Sequence, residues 1–177
     1  MGIVIIVSNY LVQFPINKFN LDEILTYGAF SYPITFLITD LANRRFGKIK
    51  ARKLVYFGFT VGIILTLFVS TNFEDIISIR IAIGSGMAFL VSQLVDIEIF
   101  QRLRNNAWFI APMTSSVFGS IIDTFLFFFI SFLGTGVPWA TLALGDLFVK
   151  LLMVLLMLIP FRILIVKIRD LNVKTSF

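Results

Sequence analysis

The sequence predicts an all-α, polytopic membrane protein with six transmembrane helices and with both termini in the cytoplasm. Of its 177 residues, 58% are hydrophobic and only 14% are charged, whereas soluble domains carry about 25% charged residues. Several apolar stretches are long enough to cross a hydrocarbon core of roughly 30 Å. The basic clusters between these stretches all fall on one predicted side of the membrane. We therefore expect a single transmembrane domain over residues 1–177.

Short polar segments separate the six predicted spans. These spans are Met1–Ile16, Leu25–Asn43, Leu54–Ser70, Ile76–Ile99, Trp108–Phe132 and Leu142–Ile159. The first is short, and it lacks the basic region and cleavage site of a signal peptide, so we expect a helix that is short or truncated at its N-terminus. Pro33 removes a backbone donor within the second span and predicts a kink or a discontinuous helix there.

The distribution of basic residues predicts the topology. The loop Arg44–Lys53 holds six bases and no acid, which places it in the cytoplasm by the positive-inside rule. Arg102 and Arg104 mark a second cytoplasmic loop, and the turn Gly134–Pro138 is expected outside. The same rule accounts for the net charge of +5. We therefore expect contact with membrane lipid and no binding of nucleic acid. The sequence does not decide whether the protein forms a homo-oligomer.

One acid lies near the middle of the fifth span. At the centre of a membrane helix an acid costs about 2.5–3.5 kcal/mol unless it is protonated, paired or hydrated. Ser116, Ser120 and Asp123 follow one another at i, i+4 and i+7, so they share one helical face. We interpret this face as the lining of a bundle interior or substrate cavity. The alternative is a satisfied hydrogen-bond cluster between helices.

Three other spans also carry polar side chains. The second span has polar residues at four-residue intervals with an acid beside them: Ser31, Thr35, Thr39, Asn43 and Asp40. The fourth has a polar face with one amide beside it: Ser85, Ser92, Asp96 and Gln93. In the same span Gly84 and Gly86 allow close helix approach. In the sixth span Asp146 and Lys150 lie at i and i+4, which predicts an internal ion pair.

The residues needed for most enzyme chemistry are absent from the sequence. There is no Cys and no His, which removes thiolate ligands and the commonest general base. There is no phosphate-binding Gly-rich loop, and Gly145-Asp146 follows Ala143 instead of the Gly expected for an intramembrane aspartyl protease. We therefore predict no catalytic residue, no metal site and no cofactor, and we do not expect an enzyme.

Five segments resemble the bacterial queuosine precursor transporters, also described as a vitamin uptake transporter family. They are SNYLVQFP (Ser8–Pro15), GAFSYPITFLITDLANRRFG (Gly28–Gly47), RIAIGSGMAFLVSQLVDIEIFQRLRN (Arg80–Asn105), WFIAPMTSSVFGSIIDTFLFFFISF (Trp108–Phe132) and ALGDLFVKLL (Ala143–Leu152). The resemblance covers nearly the whole chain. It implies a multi-pass inner-membrane protein that imports 7-cyano-7-deazaguanine or a related 7-deazapurine for tRNA modification.

The polar faces predict how such a purine-like substrate would be bound. A guanine-like base presents adjacent N–H donors, and one carboxylate can accept two of them. Asp123 or Asp40 is the candidate for this contact, and Tyr32 and Trp108 are candidates for stacking on the ring. The expected substrate-binding residues are Asp40, Asn43, Gln93, Asp96, Ser116, Ser120 and Asp123.

The sequence leaves the energy source open. A secondary carrier or facilitator is one hypothesis, and proton coupling through Asp123 is one form of it. The other is the substrate-binding membrane subunit of an ATP-driven vitamin importer, for which Arg44–Lys53 would dock the partner. Arg80 and Arg104 are interpreted as topological or lipid-head-group residues, or as further members of the site.

Overall fold

The computed structural model describes residues 33–66, 68 and 75–174. In this part of the chain there are five α-helices and no strand. The helices are α1 (Pro33–Phe46), α2 (Lys48–Leu65), α3 (Ile76–Leu103), α4 (Ile110–Phe132) and α5 (Trp139–Lys174). The predicted span Met1–Ile16 and the residues before Pro33 lie outside the described residues, and so does the kink predicted at this proline.

Three of the described helices are long and apolar enough to cross a membrane. They are α3, α4 and the Trp139–Lys167 part of α5, which correspond to the fourth, fifth and sixth predicted spans. The 23 residues of α4 reach about 35 Å at roughly 1.5 Å per residue. The chain is therefore an all-helical membrane protein where it is described. The six-span topology stays a prediction, because α1 and α2 do not meet the same criteria of length and charge.

Two predicted boundaries are wrong. The segment Arg44–Lys53 is not a loop, because α1 continues to Phe46 and α2 begins at Lys48. The break between them is a single residue, Gly47, whose φ of 83° is a backbone conformation that glycine adopts without strain. The last helix does not end near residue 159 but continues through Pro160 as one element.

The centre of the bundle is the pair α3 and α4, which pack closely along their lengths. Helix α1 contacts all four other described helices, and α5 packs against α1 and α4. Gly84 makes the close approach possible: a Cβ there would lie 2.4 Å from the Ser131 hydroxyl and 3.3 Å from the Phe127 carbonyl oxygen. Phe148 and Ile159 of α5 are 65% and 62% exposed, as expected for side chains that face lipid.

Side chains satisfy the backbone groups at the ends of α3 and α4. Asp75 caps α3 by accepting from the backbone N–H groups of Ile77 and Ser78. The hydrogen bond from the Ser78 hydroxyl, and then these two backbone bonds, lower the pKa of Asp75. Arg80 donates to the carbonyl oxygens of Ile130 and Leu133 at 2.9 and 2.8 Å. Arg80 therefore caps the C-terminus of α4, where orphan carbonyls and the helix dipole favour a cation.

Candidate functional site

All seven predicted site residues are buried in the interior of the bundle. Their exposed fractions run from 0% to 6%: Asp40 2%, Asn43 0%, Gln93 0%, Asp96 0%, Ser116 6%, Ser120 0% and Asp123 2%. The helical-face argument therefore identified side chains that turn inward. They do not form one contiguous site, however, and fall into groups with different partners.

The first group is an acid pair, formed by Asp40 of α1 and Asp96 of α3. The two carboxyl groups lie within hydrogen-bonding reach of each other. The hydroxyls of Ser115 and Ser116 donate to the two oxygens of Asp40, each at 3.3 Å. The Ser115 hydroxyl and the Asp40 carboxyl also lie near Asp96, but neither forms a well-aligned hydrogen bond with its two buried oxygens. The acid pair therefore holds acceptor atoms that the described residues satisfy poorly, which is rare for buried groups.

A crevice opens beside the acid pair, between α1, α4 and α5. Asp40 and Ser116 are its polar lining, and Leu37, Met157 and Phe161 are among its apolar walls. Its free volume is about 10 Å³, room for about one water molecule and far below the roughly 300–1,000 Å³ of typical ligand pockets. The crevice must therefore widen before a bicyclic base can reach Asp40.

The two amides hold α1 against α3. The Gln93 amide nitrogen donates to the Thr35 hydroxyl at 3.0 Å, and its oxygen accepts from the Thr39 hydroxyl. The Asn43 amide donates to the carbonyl oxygen of Ile97 at 3.1 Å. These residues were predicted as neutral substrate partners, and in this structure their hydrogen bonds join helices. Of the side-chain amide atoms of Asn43 and Gln93, the Asn43 oxygen is the one without a partner among the described residues.

The second charged group is an ion cluster, formed by Asp123, Asp146 and Lys150. The Lys150 ammonium lies 2.9 Å from the Asp123 carboxylate and 2.6 Å from that of Asp146. It also donates to the Thr124 hydroxyl at 3.1 Å, while that hydroxyl donates to Asp146 at 2.8 Å. The Ser92 hydroxyl of α3 donates to the other oxygen of Asp123 at 3.3 Å. The predicted pair of Asp146 and Lys150 is confirmed, and Asp123 joins it.

The remaining predicted residues lie in different places. Ser120 is between the acid pair and the ion cluster along α4, and its buried hydroxyl has no partner among the described residues. Trp108 is covered by the Arg162 guanidinium at 5.0 Å from the ring centroid and is not part of the crevice lining. Tyr32 lies outside the described residues. The aromatic side chain that lines the crevice is Phe161.

Sequence reasoning missed Ser115 and the contact between Lys150 and Asp123. Ser115 adjoins the predicted Ser116, but the i, i+4, i+7 spacing excluded it because neighbouring side chains point about 100° apart on a helix. The contact of Lys150 with Asp123 was more predictable. A buried ammonium in an apolar span is costly unless acids lie close to it, so an acid of a neighbouring span is expected beside it.

The surface acid Glu98 belongs to a different network. It contacts Lys48 and Arg52 of α2 and Arg102 of its own helix, the last two at 3.3 and 3.5 Å. At the same end of the bundle, Arg44 and Arg104 each donate to the other's backbone carbonyl. These contacts join the ends of α1, α2 and α3 and lie outside the polar interior.

Spanning-length helices around a buried, partly unsatisfied polar interior are features of a membrane transporter. Residues 26–165 match the model of the family described as "Putative vitamin uptake transporter". The queuosine precursor transporter of Escherichia coli (strain K12) is 33% identical over 177 residues, which cover 89% of this chain and 79% of the relative. The probable queuosine precursor transporter of Haemophilus influenzae is 34% identical over 188 residues, with the same coverage.

The chain therefore belongs to the vitamin uptake transporter family that includes the queuosine precursor transporters. A more distant relative, the probable queuosine precursor transporter of Bacillus subtilis, is 27% identical over 155 residues, which cover 76% of this chain and 67% of that protein. No solved structure matches the chain.

Proposed function

We propose that this transporter imports a queuosine precursor, 7-cyano-7-deazaguanine or a related 7-deazapurine, across the bacterial inner membrane for tRNA modification. The names of the relatives support the substrate class. A multi-pass topology of six spans with cytoplasmic termini is part of the proposal. The basic ends of α1, α2 and α3 support it, because they gather on one side of the bundle.

The observation that carries the proposal is the acid pair. Asp96 has two fully buried carboxyl oxygens without a well-aligned hydrogen bond among the described residues, and Asp40 beside it lines the crevice. A guanine-like base offers an N–H and an amino group on one edge, which match two acceptor oxygens. Hydrogen bonds to a carboxylate are about twice as strong as neutral ones, so the base would satisfy atoms that are costly to leave unpaired.

The crevice supplies the remaining contacts of this hypothesis. Phe161 forms part of its wall, and an aromatic ring stacks on a base with about 1–3 kcal/mol. Ser116 is a neutral hydrogen-bond partner beside Asp40. Because the crevice has a free volume of only about 10 Å³, binding requires α5 or its side chains to move away from α1 and α4. Such movement around a fixed binding site is the basis of alternating access.

The proposal is tested by uptake of labelled 7-cyano-7-deazaguanine in cells that cannot synthesise it. Queuosine in their tRNA is the readout, and queuine is the competitor. Asp40→Asn and Asp96→Asn should each weaken substrate binding by roughly 10–100-fold, the equivalent of one charge-assisted hydrogen bond. Glu98→Gln is the matched control, because Glu98 is two residues from Asp96 but contacts surface bases. Unchanged binding in both Asn variants would remove the acid pair from the site.

A further inference from the structure

The ion cluster has an excess of negative charge. Two carboxylates, Asp123 and Asp146, face one ammonium, Lys150, and the three side chains are only 3–5% exposed. Thr124 and Ser92 add hydroxyl groups but no charge. Among the described residues, no second cation forms an ion pair with either carboxylate. With all three groups ionised the cluster would therefore carry one uncompensated charge in an apolar interior, which is strongly unfavourable.

The geometry favours a proton over a metal ion as the compensating charge. The Lys150 ammonium lies between the Asp123 and Asp146 carboxylates, at 2.9 and 2.6 Å, and occupies the place where a bridging cation would bind. A second cation there would meet the ammonium at close range. A proton needs no separate cavity, because it forms an O–H bond with a carboxylate oxygen already present.

We propose that the ion cluster takes up one proton and that this proton is coupled to substrate translocation, an inference that rests on the proposed function. The proton enters from outside, adds to a carboxylate oxygen of Asp123, and leaves toward the cytoplasm when that O–H bond breaks. While it is bound, Lys150 is ion-paired only with Asp146 of its own helix. The attraction between α4 and α5 is then weaker, and a movement of α5 away from α4 opens the crevice.

Helix α4 links the ion cluster to the acid pair, where the substrate is proposed to bind. Ser116 contacts Asp40 of the acid pair, and Asp123 follows seven residues later on the same face of α4, about 10 Å away. Between them lies Ser120, whose fully buried hydroxyl has no partner among the described residues. Both sites therefore depend on the position of one helix, and a polar group lies between them.

The other helices place few ionisable groups near the cluster. Helix α3 presents the neutral Ser92, and its next buried acid is Asp96, one turn further along. Helix α1 contributes Asp40, which is engaged by serine hydroxyls. Arg80 of α3 is bound to the carbonyl oxygens at the end of α4. Apart from the ion cluster, the acid pair is thus the other buried group nearby that can hold a proton, and variants of each separate the two.

The first test uses the purified full chain in liposomes with labelled 7-cyano-7-deazaguanine and the electrical potential held at zero. With one proton per neutral substrate, the wild type should accumulate substrate about tenfold for each unit of inward pH gradient. A sodium gradient at equal pH should give no accumulation. Accumulation driven by sodium, or no response to the pH gradient while exchange continues, overturns the proposal and leaves the proposed function standing.

The second test does not need the substrate. Infrared spectroscopy of the purified protein detects the carbonyl stretch of a protonated carboxyl group. Part of this band should disappear in Asp123→Asn or in Asp146→Asn, and that same part should persist in Asp40→Asn. Both cluster variants should still bind substrate but should lose the response to the pH gradient. If neither variant changes the band, the cluster holds no proton, whether or not 7-cyano-7-deazaguanine proves to be the substrate.

Discussion

At the scale of single residues, the ammonium of Lys150 determines whether the interior can hold two acids between α4 and α5. Its contacts of 2.9 and 2.6 Å to Asp123 and Asp146 offset the cost of removing these charges from water. Lys150→Met should destabilise the protein by about 3–5 kcal/mol, because it leaves two buried carboxylates without their cation. Thermal unfolding in detergent measures this effect, and Lys53→Met, at an exposed position on α2, is the control.

A triple variant tests whether charge causes the loss of stability in Lys150→Met. Adding Asp123→Asn and Asp146→Asn to Lys150→Met removes the unpaired negative charge and should restore most of the lost stability. A neutral cluster of similar volume is often as stable as the ion pair that it replaces. If the triple variant unfolds as early as Lys150→Met, the loss comes from packing of the lysine side chain and not from charge.

Thr39 allows a separate test of whether the amides are structural. The Thr39 hydroxyl donates to the Gln93 amide oxygen, which joins α1 to α3 in a fully buried position. Thr39→Val keeps the shape and removes the donor, and hydrogen bonds between membrane helices average about 0.6 kcal/mol, with a maximum near 1.7. We expect a loss of this size in the free energy of unfolding.

Substrate affinity should change less than threefold in Thr39→Val, because the bond serves helix packing. Thr60→Val on α2 is the control, since Thr60 is exposed and bonds only to a carbonyl of its own helix. A large loss of affinity without loss of stability would instead place Gln93 in the substrate site, as the sequence predicts.

At the scale of helices, the close approach of α3 and α4 depends on Gly84. A Cβ at this position would meet the Ser131 hydroxyl at 2.4 Å and the Phe127 backbone oxygen at 3.3 Å, and a backbone atom cannot rotate away. Gly84→Ala should therefore destabilise the protein by about 1–3 kcal/mol, the range for overpacking, as measured by thermal unfolding.

Gly86 provides a matched control two residues further along the same helix. A Cβ at Gly86 would meet the terminal methyl group of Ile63 at 2.7 Å, and this methyl lies at the end of a flexible side chain. Gly86→Ala should therefore cost less than Gly84→Ala. The opposite order would show that α3 packs more tightly against α2 than against α4.

The inward-facing side of each helix could be predicted from the sequence, because it follows from the spacing of polar residues within one segment. Ser116, Ser120 and Asp123 turn inward as their i, i+4, i+7 spacing predicts. Which helices meet at each face could not be predicted in this way. Asp40 lies beside Asp96, 56 positions along the chain, because of how α1 packs against α3, and no local pattern records that packing.

Helix ends were predicted less well for a different reason. Charge and proline were used as end signals, but α2 begins within the basic segment at Lys48 and α5 continues through Pro160. Near a membrane surface a basic residue can remain helical and still reach water with its long side chain. Proline is likewise tolerated in membrane helices, where neighbouring groups satisfy the carbonyl that it leaves free.

At the scale of the whole molecule, the six-span topology predicts on which side of the membrane each connection lies, and labelling of introduced cysteines can test this. The chain contains no Cys, so single cysteines can be introduced into an otherwise thiol-free protein. Lys53, Asn106 and Pro138 are exposed; the last two lie in connections between helices, and Lys53 lies within the first two turns of α2. By the positive-inside rule the first two face the cytoplasm, while the segment between α4 and α5, which holds Pro138, faces outside.

An impermeant thiol reagent applied to intact cells should therefore label Pro138→Cys and leave Lys53→Cys and Asn106→Cys unlabelled. In inside-out vesicles the pattern should invert. In the six-span topology Lys53 and Asn106 share a side, because α2 and α3 would together make one return crossing, from Lys48 to Leu103. Labelling of these two positions from opposite sides would mean that α2 does not cross the membrane. The six-span topology would then fail, although α3, α4 and α5 would still be long enough to span it.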